Sequence, residues 1–222
     1  MLLAFDTSSA AVTVALADPV SGEILASSTT VDALRHGELL APAIASALET
    51  AGATPRELTR IAVGVGPGPF TGLRVGLVTA RTMADVLGIE VAGVCSLDLL
   101  ARQSELTLPV AVATDARRKE VYWALYDGPA ANGSRRRLEG PAVDRPADVA
   151  HVLSGLPVIG RGAVLYGDVL GVADVDVAEY PSAEVLATGV VTGTLDVVGP
   201  EPLYLRRPDV TLSGGPKSVL PK

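Results

Sequence analysis

The chain is short of several residue types, and each shortage excludes a class of protein. Of its 222 residues, one is a cysteine, two are histidines and eight are aromatic. A single thiol excludes a disulfide framework and a multi-thiolate metal site, and it suits a reducing compartment. So few aromatic rings leave little surface on which nucleic-acid bases could stack. We therefore expect a cytoplasmic protein whose core is built mainly from Ala, Val and Leu.

Positive charge and long apolar runs are scarce as well. The chain has 18 Lys and Arg residues against 25 Asp and Glu, a net charge of −7. A protein that binds nucleic acid unaided normally presents a basic face, so we expect any contact with RNA to be indirect. Gly and Pro interrupt the longest apolar stretch, from Ile61 to Leu73. It falls short of the ~18 residues that span a membrane. No basic segment precedes the apolar N-terminus, so we expect no signal peptide.

The apolar residues that are present follow the periodicities of an α/β protein. Strands are predicted at 1–5, 12–16, 23–31, 61–65, 91–94 and 157–159, with a possible edge strand at 135–138. Helices are predicted at 39–51, 72–87, 96–104, 147–153 and 182–191. Gly52 and Gly88 follow the first two helices and are natural helix stops. Strands come first and then alternate with helices, so the pattern predicts a sheet covered by helices.

The second half of the chain opens like the first. Residues 4–18 and 113–127 share six identities at a constant offset of 109, which is about half the chain length. The repeat indicates either a duplicated domain or a chance match between two hairpins rich in Ala and Val. We divide the chain into a domain at 1–104, a second domain at 105–207 and a flexible tail at 208–222, where Pro, Gly and Ser dominate.

Two acidic turns are the best candidates for chemistry. Asp6, Thr7 and Ser8 follow the first strand, and Asp115 stands at the corresponding place in the second half. Two such hairpins facing each other could clamp a nucleotide, with the acids holding Mg²⁺ in an ATPase or phosphotransferase. The alternative is a structural turn in which the hydroxyl groups satisfy local backbone groups.

The helix at 72–87 carries a stripe of small residues. Gly72, Gly76, Ala80 and Ala84 recur every four residues, so another helix can approach closely, either the helix at 39–51 or one from another chain. His36 has no second histidine four residues later, because position 40 is Leu40, and it is expected to be a cap or surface residue. The run of arginines at 135–137 is expected to be a solvated loop or edge protection.

Five segments together resemble the TsaB (YeaZ) family. They read FDTSSAAVTVAL, HGELLAPAI, GVGPGPFTGLRVGL, TDARRKEVYWALY and EPLYLR, in that order from Leu3 to about Arg206. The resemblance implies two tandem ribonuclease-H-like domains of the actin-like ATPase superfamily. It also implies a non-catalytic subunit that works with the transferase TsaD and the ATPase TsaE. Together they form N6-threonylcarbamoyladenosine at position 37 of tRNAs that read codons starting with A.

The resemblance also assigns roles to positions. It implies no catalytic residue, no metal and no cofactor of the chain's own, and Leu40 departs from the His-x-x-x-His metal motif of TsaD. It implies that the first two helices form a heterodimer with TsaD, or a homodimer when the chain is alone, with tRNA contacted only indirectly and no membrane involved. The implied interface comprises Leu40, Ile44, Leu48, Gly72, Leu73, Gly76, Leu77 and Ala80.

Overall fold

The computed structural model describes residues 1–172 and 178–206, and the predicted tail at 208–222 lies outside them. The first half contains strands β1 (Leu2–Asp6), β2 (Ala11–Ala17), β3 (Ile24–Val31), β4 (Arg60–Gly64) and β5 (Glu90–Val94). Its helices are α1 (His36–Thr50), α2 (Phe70–Leu87) and α3 (Ser96–Gln103), with a short 3-10 helix at Pro55–Glu57. The predicted elements of this half are therefore confirmed, within three residues at most ends.

The second half contains strands β6 (Val110–Asp115), β7 (Val121–Tyr126), β8 (Arg137–Asp144) and β9 (Val158–Ile159). Its helices are α4 (Pro146–Leu153), α5 (Arg161–Leu170) and α6 (Ala183–Thr192). The sequence pattern did not predict α5. Two glycines interrupt its apolar periodicity, and Tyr166 departs from helical geometry inside it.

Both sheets are mixed and share one topology. The first sheet has the order β3-β2-β1-β4-β5 and the second β8-β7-β6-β9. In each sheet the opening strand lies antiparallel to the return strand of its hairpin and parallel to a later strand. The acidic end of the opening strand, at Asp6 or Asp115, therefore lies at the same edge as the carboxyl ends of the parallel strands, where α/β proteins commonly place their sites.

The repeat seen in the sequence is only partly a structural one. Asp6 pairs with Thr13 across the first hairpin, whereas Asp115 pairs with Val121 across the second. The second turn is thus one residue shorter, so the constant offset of 109 is wrong by one position along the return strand. A shift of one residue moves every side chain to the other face of a sheet. Val12 accordingly faces α1 and α2, while Val121 packs beside α4 and α5.

Helices α1 and α2 cover one face of the first sheet because each has an apolar stripe of helical period. The buried stripe residues are Leu40, Ile44, Ala47, Leu48, Leu73, Leu77, Ala80 and Ala84. They pack on Leu3, Phe5, Val14 and Val63 of the strands. Gly88 ends α2 in the left-handed conformation, as predicted.

Two helices join the sheets into one structure. The buried side chains of α3 divide between the sheets, with Leu99 packed on the first and Leu97 and Leu100 on the second. Helix α6 belongs to the second half in sequence but packs on the first sheet, through Leu186, Ala187 and Val190. The division into domains at 1–104 and 105–207 stays a prediction, and the packing of α6 crosses it.

None of the helices in the described part of the chain is both long enough and apolar enough to cross a bilayer. The single cysteine, Cys95, lies buried just before α3, and burial raises the pKa of its thiol to about 12. The thiol therefore stays protonated at neutral pH.

Candidate functional site

Asp6 ends β1 in a position with almost no access to solvent, at 1% exposure. One carboxylate oxygen accepts hydrogen bonds from the backbone N–H and the hydroxyl group of Ser8, both at 2.8 Å. The other accepts a hydrogen bond from the Ser96 hydroxyl at 2.5 Å. The carboxylate thus ties the first turn to the start of α3. It fits this space because residue 64 is glycine, where a Cβ would lie 1.7 Å from Asp6 Oδ2.

Burial changes the acidity of this carboxyl group. Loss of hydration raises the pKa of Asp6 above its ordinary value, against the opposing effect of the hydrogen bonds from Ser96 and Ser8. Asp6 therefore keeps its proton to a higher pH than a solvated aspartate does.

Thr7 and the small-residue stripe of α2 form one contact. The Thr7 hydroxyl donates to the Gly72 carbonyl oxygen at 2.8 Å. A Cβ on Gly72 would lie 2.5 Å from Thr7 O, and one on Gly76 would lie 2.4 Å from Thr7 Oγ1. The stripe therefore lets α2 approach the first hairpin of its own chain.

A cleft of about 240 Å³ separates the two hairpin turns. The first turn contributes Ser8 and Ser9, and the second contributes Asp115 and Arg117. The negative charge of Asp115 is partly neutralised by Arg117 of the same turn. Its carboxylate accepts from the Arg117 N–H at 2.9 Å and lies 3.7 Å from the Arg117 guanidinium.

The far wall of the cleft is also balanced in charge. Arg161 and Glu179 form an ion pair there at 2.5 Å. Within residues 1–172 and 178–206, the cleft is polar but has no surplus of cations to attract a polyphosphate, because Arg117 and Arg161 each already face a carboxylate.

The second turn holds an unusual backbone. Arg117, Arg118 and Lys119 all have positive φ angles of 54 to 62°. Residues with a Cβ rarely take this left-handed conformation, and each costs about 1–2 kcal/mol. The hydrogen bond from Ala116 N to Glu120 O, and that from Glu120 N to Arg117 O, close the turn. Arg206 anchors it further through the Ala116 carbonyl oxygen and an ion pair with Glu120.

The side of α1 and α2 that faces solvent is apolar or small along much of its length. We call it the outer helix face, and it comprises the exposed residues Ala41, Pro42, Ala45, Val78 and Val86 together with the half-buried Val75 and Met83. Val78 is 61% exposed and Val86 80%. Adjacent apolar residues on two neighbouring helices are typical of a surface that another protein covers.

One end of the outer helix face carries an aromatic cluster. The rings of Phe70 and Tyr204 lie 4.8 Å apart, and the Arg74 guanidinium lies 5.4 Å from the centre of the Phe70 ring. Arg74 Nε also donates to the Tyr204 hydroxyl at 2.9 Å. The segment that ends in Tyr204 is fixed to the first sheet, since Leu203 N donates to Val65 O.

Comparison with known proteins identifies the family. The sequence model of the family described as "TsaD: tRNA N6-adenosine threonylcarbamoyltransferase" matches residues 23–167. The chain superposes on the structure of YeaZ from Pseudomonas aeruginosa with a TM-score of 0.77 and 31% identity, over 92% of this chain and 99% of that one. The chain belongs to the TsaB (YeaZ) family.

Curated relatives of this TsaB-family chain include both named and uncharacterised proteins. An uncharacterised protein of Mycobacterium leprae is 41% identical over 94% of the chain, and the chain spans 55% of that protein's length. The tRNA threonylcarbamoyladenosine biosynthesis protein TsaB of Bacillus subtilis is 35% identical over 129 residues, which are 56% of this chain and 54% of that protein.

The structure separates the four residues predicted to bind a cofactor in this TsaB-family chain. Ser8 and Asp115 line the cleft, whereas Asp6 and Thr7 lie behind it with their oxygens already hydrogen-bonded. Asp6 and Asp115 therefore do not form the facing pair of acids that the repeat suggested. Cofactor binding at Ser8 and Asp115 stays a prediction.

The eight residues predicted at a partner interface all lie inside the chain. They are Leu40, Ile44, Leu48, Gly72, Leu73, Gly76, Leu77 and Ala80. Their side chains or Cα atoms pack against the strands and the first hairpin, since the apolar stripe of each helix faces its own sheet. The contact of α1 and α2 with a partner stays a prediction, but the residues that can make it are those of the outer helix face.

His36 differs from expectation as well. It is buried at 6% exposure at the start of α1, not on the surface, and its Nε2–H donates to the Ser9 carbonyl oxygen at 2.7 Å. It thus supports the first turn. Across residues 1–172 and 178–206, no cluster of three or more His, Cys, Asp or Glu side chains is arranged to hold a metal ion.

Sequence reasoning missed the aromatic cluster and the role of the arginine run. Tyr204 lies 130 residues from Arg74, so no periodicity links the two. The arginines at 135–137 are only partly solvated. Arg137 forms a 2.6 Å ion pair with Asp98, whose side chain is 10% exposed.

Proposed function

We propose that the chain is a non-catalytic subunit that binds a TsaD-type transferase through the outer helix face. In this role it supports formation of N6-threonylcarbamoyladenosine at position 37 of tRNAs that read codons starting with A. The observation that carries the proposal is the exposure of Val78 and Val86 on α2, together with the exposed small residues of the neighbouring helix α1. The name of the Bacillus subtilis relative supplies the pathway.

The partner's chemistry follows from the family. The family model for the transferase matches 23–167 of this chain, so a TsaD subunit shares this part of the fold. Two chains of one fold can pair through equivalent helices about a pseudo-twofold axis, in the way that closed dimers pair equivalent surfaces. The same geometry would serve a homodimer when the chain is alone. Both arrangements are consistent with two tandem ribonuclease-H-like domains in each subunit.

The contacts of Asp6 and Asp115 disfavour a catalytic role for these acids. Both carboxylate oxygens of Asp6 accept hydrogen bonds, from Ser8 and from Ser96. The Asp115 carboxylate accepts a hydrogen bond from Arg117. An ATPase or phosphotransferase that used these acids with Mg²⁺ would need both carboxylates free and facing one cleft. The enzyme alternative is supported by the cleft, because Ser8 and Asp115 both line it. It has less support than the subunit role.

We place the protein in the cytoplasm with a TsaE-type ATPase as a further partner, and the sparse basic charge favours indirect contact with tRNA.

The experiment is a binding measurement with a matched control. Purified chain and TsaD subunit are mixed and followed by size-exclusion chromatography with light scattering. Val78→Asp should abolish the heterodimer, since burying an unpaired charge costs several kcal/mol. Leu138→Asp, at another exposed apolar position on β8 (51% exposed against 61% for Val78), should leave it intact. Heterodimer formation by Val78→Asp at wild-type affinity, or none by the wild-type chain, would contradict the proposal.

A further inference from the structure

A second pocket holds four arginine side chains. It is bounded by α3, by the connection between β7 and β8, and by the segment that follows α6, and its volume is about 230 Å³. Its lining includes Asp98, Arg102, Arg135, Arg136, Arg137 and Thr194. We propose that this pocket binds a small anion of phosphate chemistry. The proposal concerns a site apart from the outer helix face, and it does not depend on the proposed function.

Two of the arginines already have carboxylate partners. Arg137 donates to Asp98 Oδ1 from Nε at 3.0 Å and from Nη2 at 2.8 Å, and to Asp98 Oδ2 at 2.6 Å. The Tyr126 hydroxyl donates to the same carboxylate at 2.6 Å. Arg136 pairs with Asp127 at 3.1 Å on the surface. The Asp98 carboxylate therefore neutralises Arg137 and the Asp127 carboxylate neutralises Arg136, which leaves Arg102 and Arg135 without a carboxylate partner in the described part of the chain.

Arg135 is held in place without being neutralised. Its guanidinium donates to the carbonyl oxygens of Leu106, Leu108 and Asp127. Carbonyl groups satisfy the N–H donors but carry no net charge, so the positive charge remains. Burial, and then the neighbouring charge of Arg102, lower the pKa of Arg135 below its ordinary value. The two guanidinium groups thus repel each other in a partly dry space.

Arg102 has no partner in the described part of the chain. Its Nε is buried and makes no hydrogen bond there, and its guanidinium forms no ion pair. Its Nη2 lies close to Gly133, where a Cβ on residue 133 would be 3.1 Å from that nitrogen, so the glycine leaves room for the guanidinium. A buried donor without an acceptor costs free energy that a bound anion would recover. Asp196 also lines the pocket but is exposed at its rim.

Phosphate is the anion that suits this arrangement. The planar fork of an arginine matches two oxygens of a phosphate group, and a charge-assisted hydrogen bond is about twice as strong as a neutral one. Arg102 and Arg135, the two cations without a carboxylate partner, both line the pocket, so a bound anion would meet both there. The size of the space favours a free phosphate, a pyrophosphate or the phosphate end of a nucleotide over a folded polymer.

The test is a titration followed by calorimetry and by ³¹P NMR. Inorganic phosphate, pyrophosphate and AMP are the small probes, and a single-stranded RNA decamer is the polymer probe. At least one small probe should bind saturably and raise the melting temperature of the wild-type chain, as a ligand of the native state must. Arg102→Gln should weaken that binding about tenfold or more. The same loss of charge in Arg56→Gln, on the exposed 3-10 helix, should leave it unchanged.

A second variant separates geometry from charge. Arg102→Lys keeps the charge but loses the fork, so its affinity should lie between those of the wild type and Arg102→Gln. The melting temperature of each variant without ligand shows whether it folds. The proposal is overturned if no small probe binds or stabilises the wild-type chain. It is equally overturned if Arg56→Gln weakens binding as much as Arg102→Gln, or if only the RNA binds.

Discussion

The two hairpins of this protein have the same topology and opposite chemistry. In the first, Asp6 is sealed from solvent and its carboxylate connects the turn to α3. In the second, Asp115 borders the cleft, and the turn beyond it holds three residues in the left-handed conformation. Equivalent acids at equivalent strand ends therefore have different roles: Asp6 holds the fold together, and Asp115 lines the cleft. The environment that surrounding elements build decides the role of a carboxylate, and the repeat alone does not.

The largest effect should come from removing the two acids in turn. Asp6→Ala leaves the buried donors of Ser8 and Ser96 without an acceptor, so we expect the free energy of unfolding to fall by about 2–4 kcal/mol. Asp115→Ala removes a partly exposed ion pair and should cost less than about 1 kcal/mol. Chemical denaturation of both variants measures the difference. Equal losses would mean that the two hairpins are alike after all.

The packing of α2 on the first hairpin gives a second, smaller effect. Gly76→Ala puts a methyl group 2.4 Å from the buried Thr7 hydroxyl, and such overpacking costs about 1–3 kcal/mol. Gly37→Ala is the matched control on α1, where the nearest atom would be 4.0 Å away. It should stabilise the chain by about 0.5–1 kcal/mol through helix propensity. If thermal unfolding showed that both variants change stability in the same direction, the close contact between Gly76 and Thr7 would be refuted.

The strained turn of the second hairpin should respond in the opposite direction. Lys119→Gly replaces a side chain in the left-handed region by a residue that adopts it freely, so we expect stabilisation by about 1 kcal/mol. Ser9→Gly, in the first turn, lacks that benefit and should destabilise by a few tenths to about 1 kcal/mol. Denaturation midpoints compare the two. A loss of stability in Lys119→Gly would show that its side chain holds the turn.

The pH dependence of stability separates the acids in a further way. The folded pKa of Asp6 is raised above its ordinary value of 3.8, so the native state binds more protons than the unfolded state above that pH. Its contribution to stability therefore falls as pH rises from about 4 through the folded pKa. Asp6→Asn removes this dependence, so the stability of the variant relative to the wild type should rise with pH. A stability difference that is flat with pH would contradict the raised pKa of Asp6.

Much of the fold could be predicted from local pattern. The buried stripes at Leu40, Ile44 and Leu48 set the face of α1, and Gly88 marked the end of α2. Helix α5 could not be predicted, because glycines break its periodicity and its single buried face depends on contacts with distant strands. The one-residue difference between the hairpins was also hidden, since an ungapped repeat conceals the length of a turn.

The candidate sites were harder to predict than the fold. Helical period identifies which residues lie on one face, but it does not say whether that face meets the chain's own sheet or a partner. The stripe at Gly72 and Gly76 thus correctly indicated that something packs closely on α2. What packs there is Thr7 of the first hairpin and not another helix. The second pocket joins Arg102, Arg137 and Thr194 from three separate segments, and only the tertiary structure brings them together.

One measurement addresses the central idea that the protein acts by binding. Threonylcarbamoyl transfer to tRNA is reconstituted with TsaD, TsaE and this chain, and its rate is compared among variants. We expect Asp115→Asn and Asp6→Asn, which alter the acids, to keep the wild-type rate, and Val78→Asp, which alters the outer helix face, to lose it. A rate that vanished with either asparagine variant while Val78→Asp remained active would contradict the account.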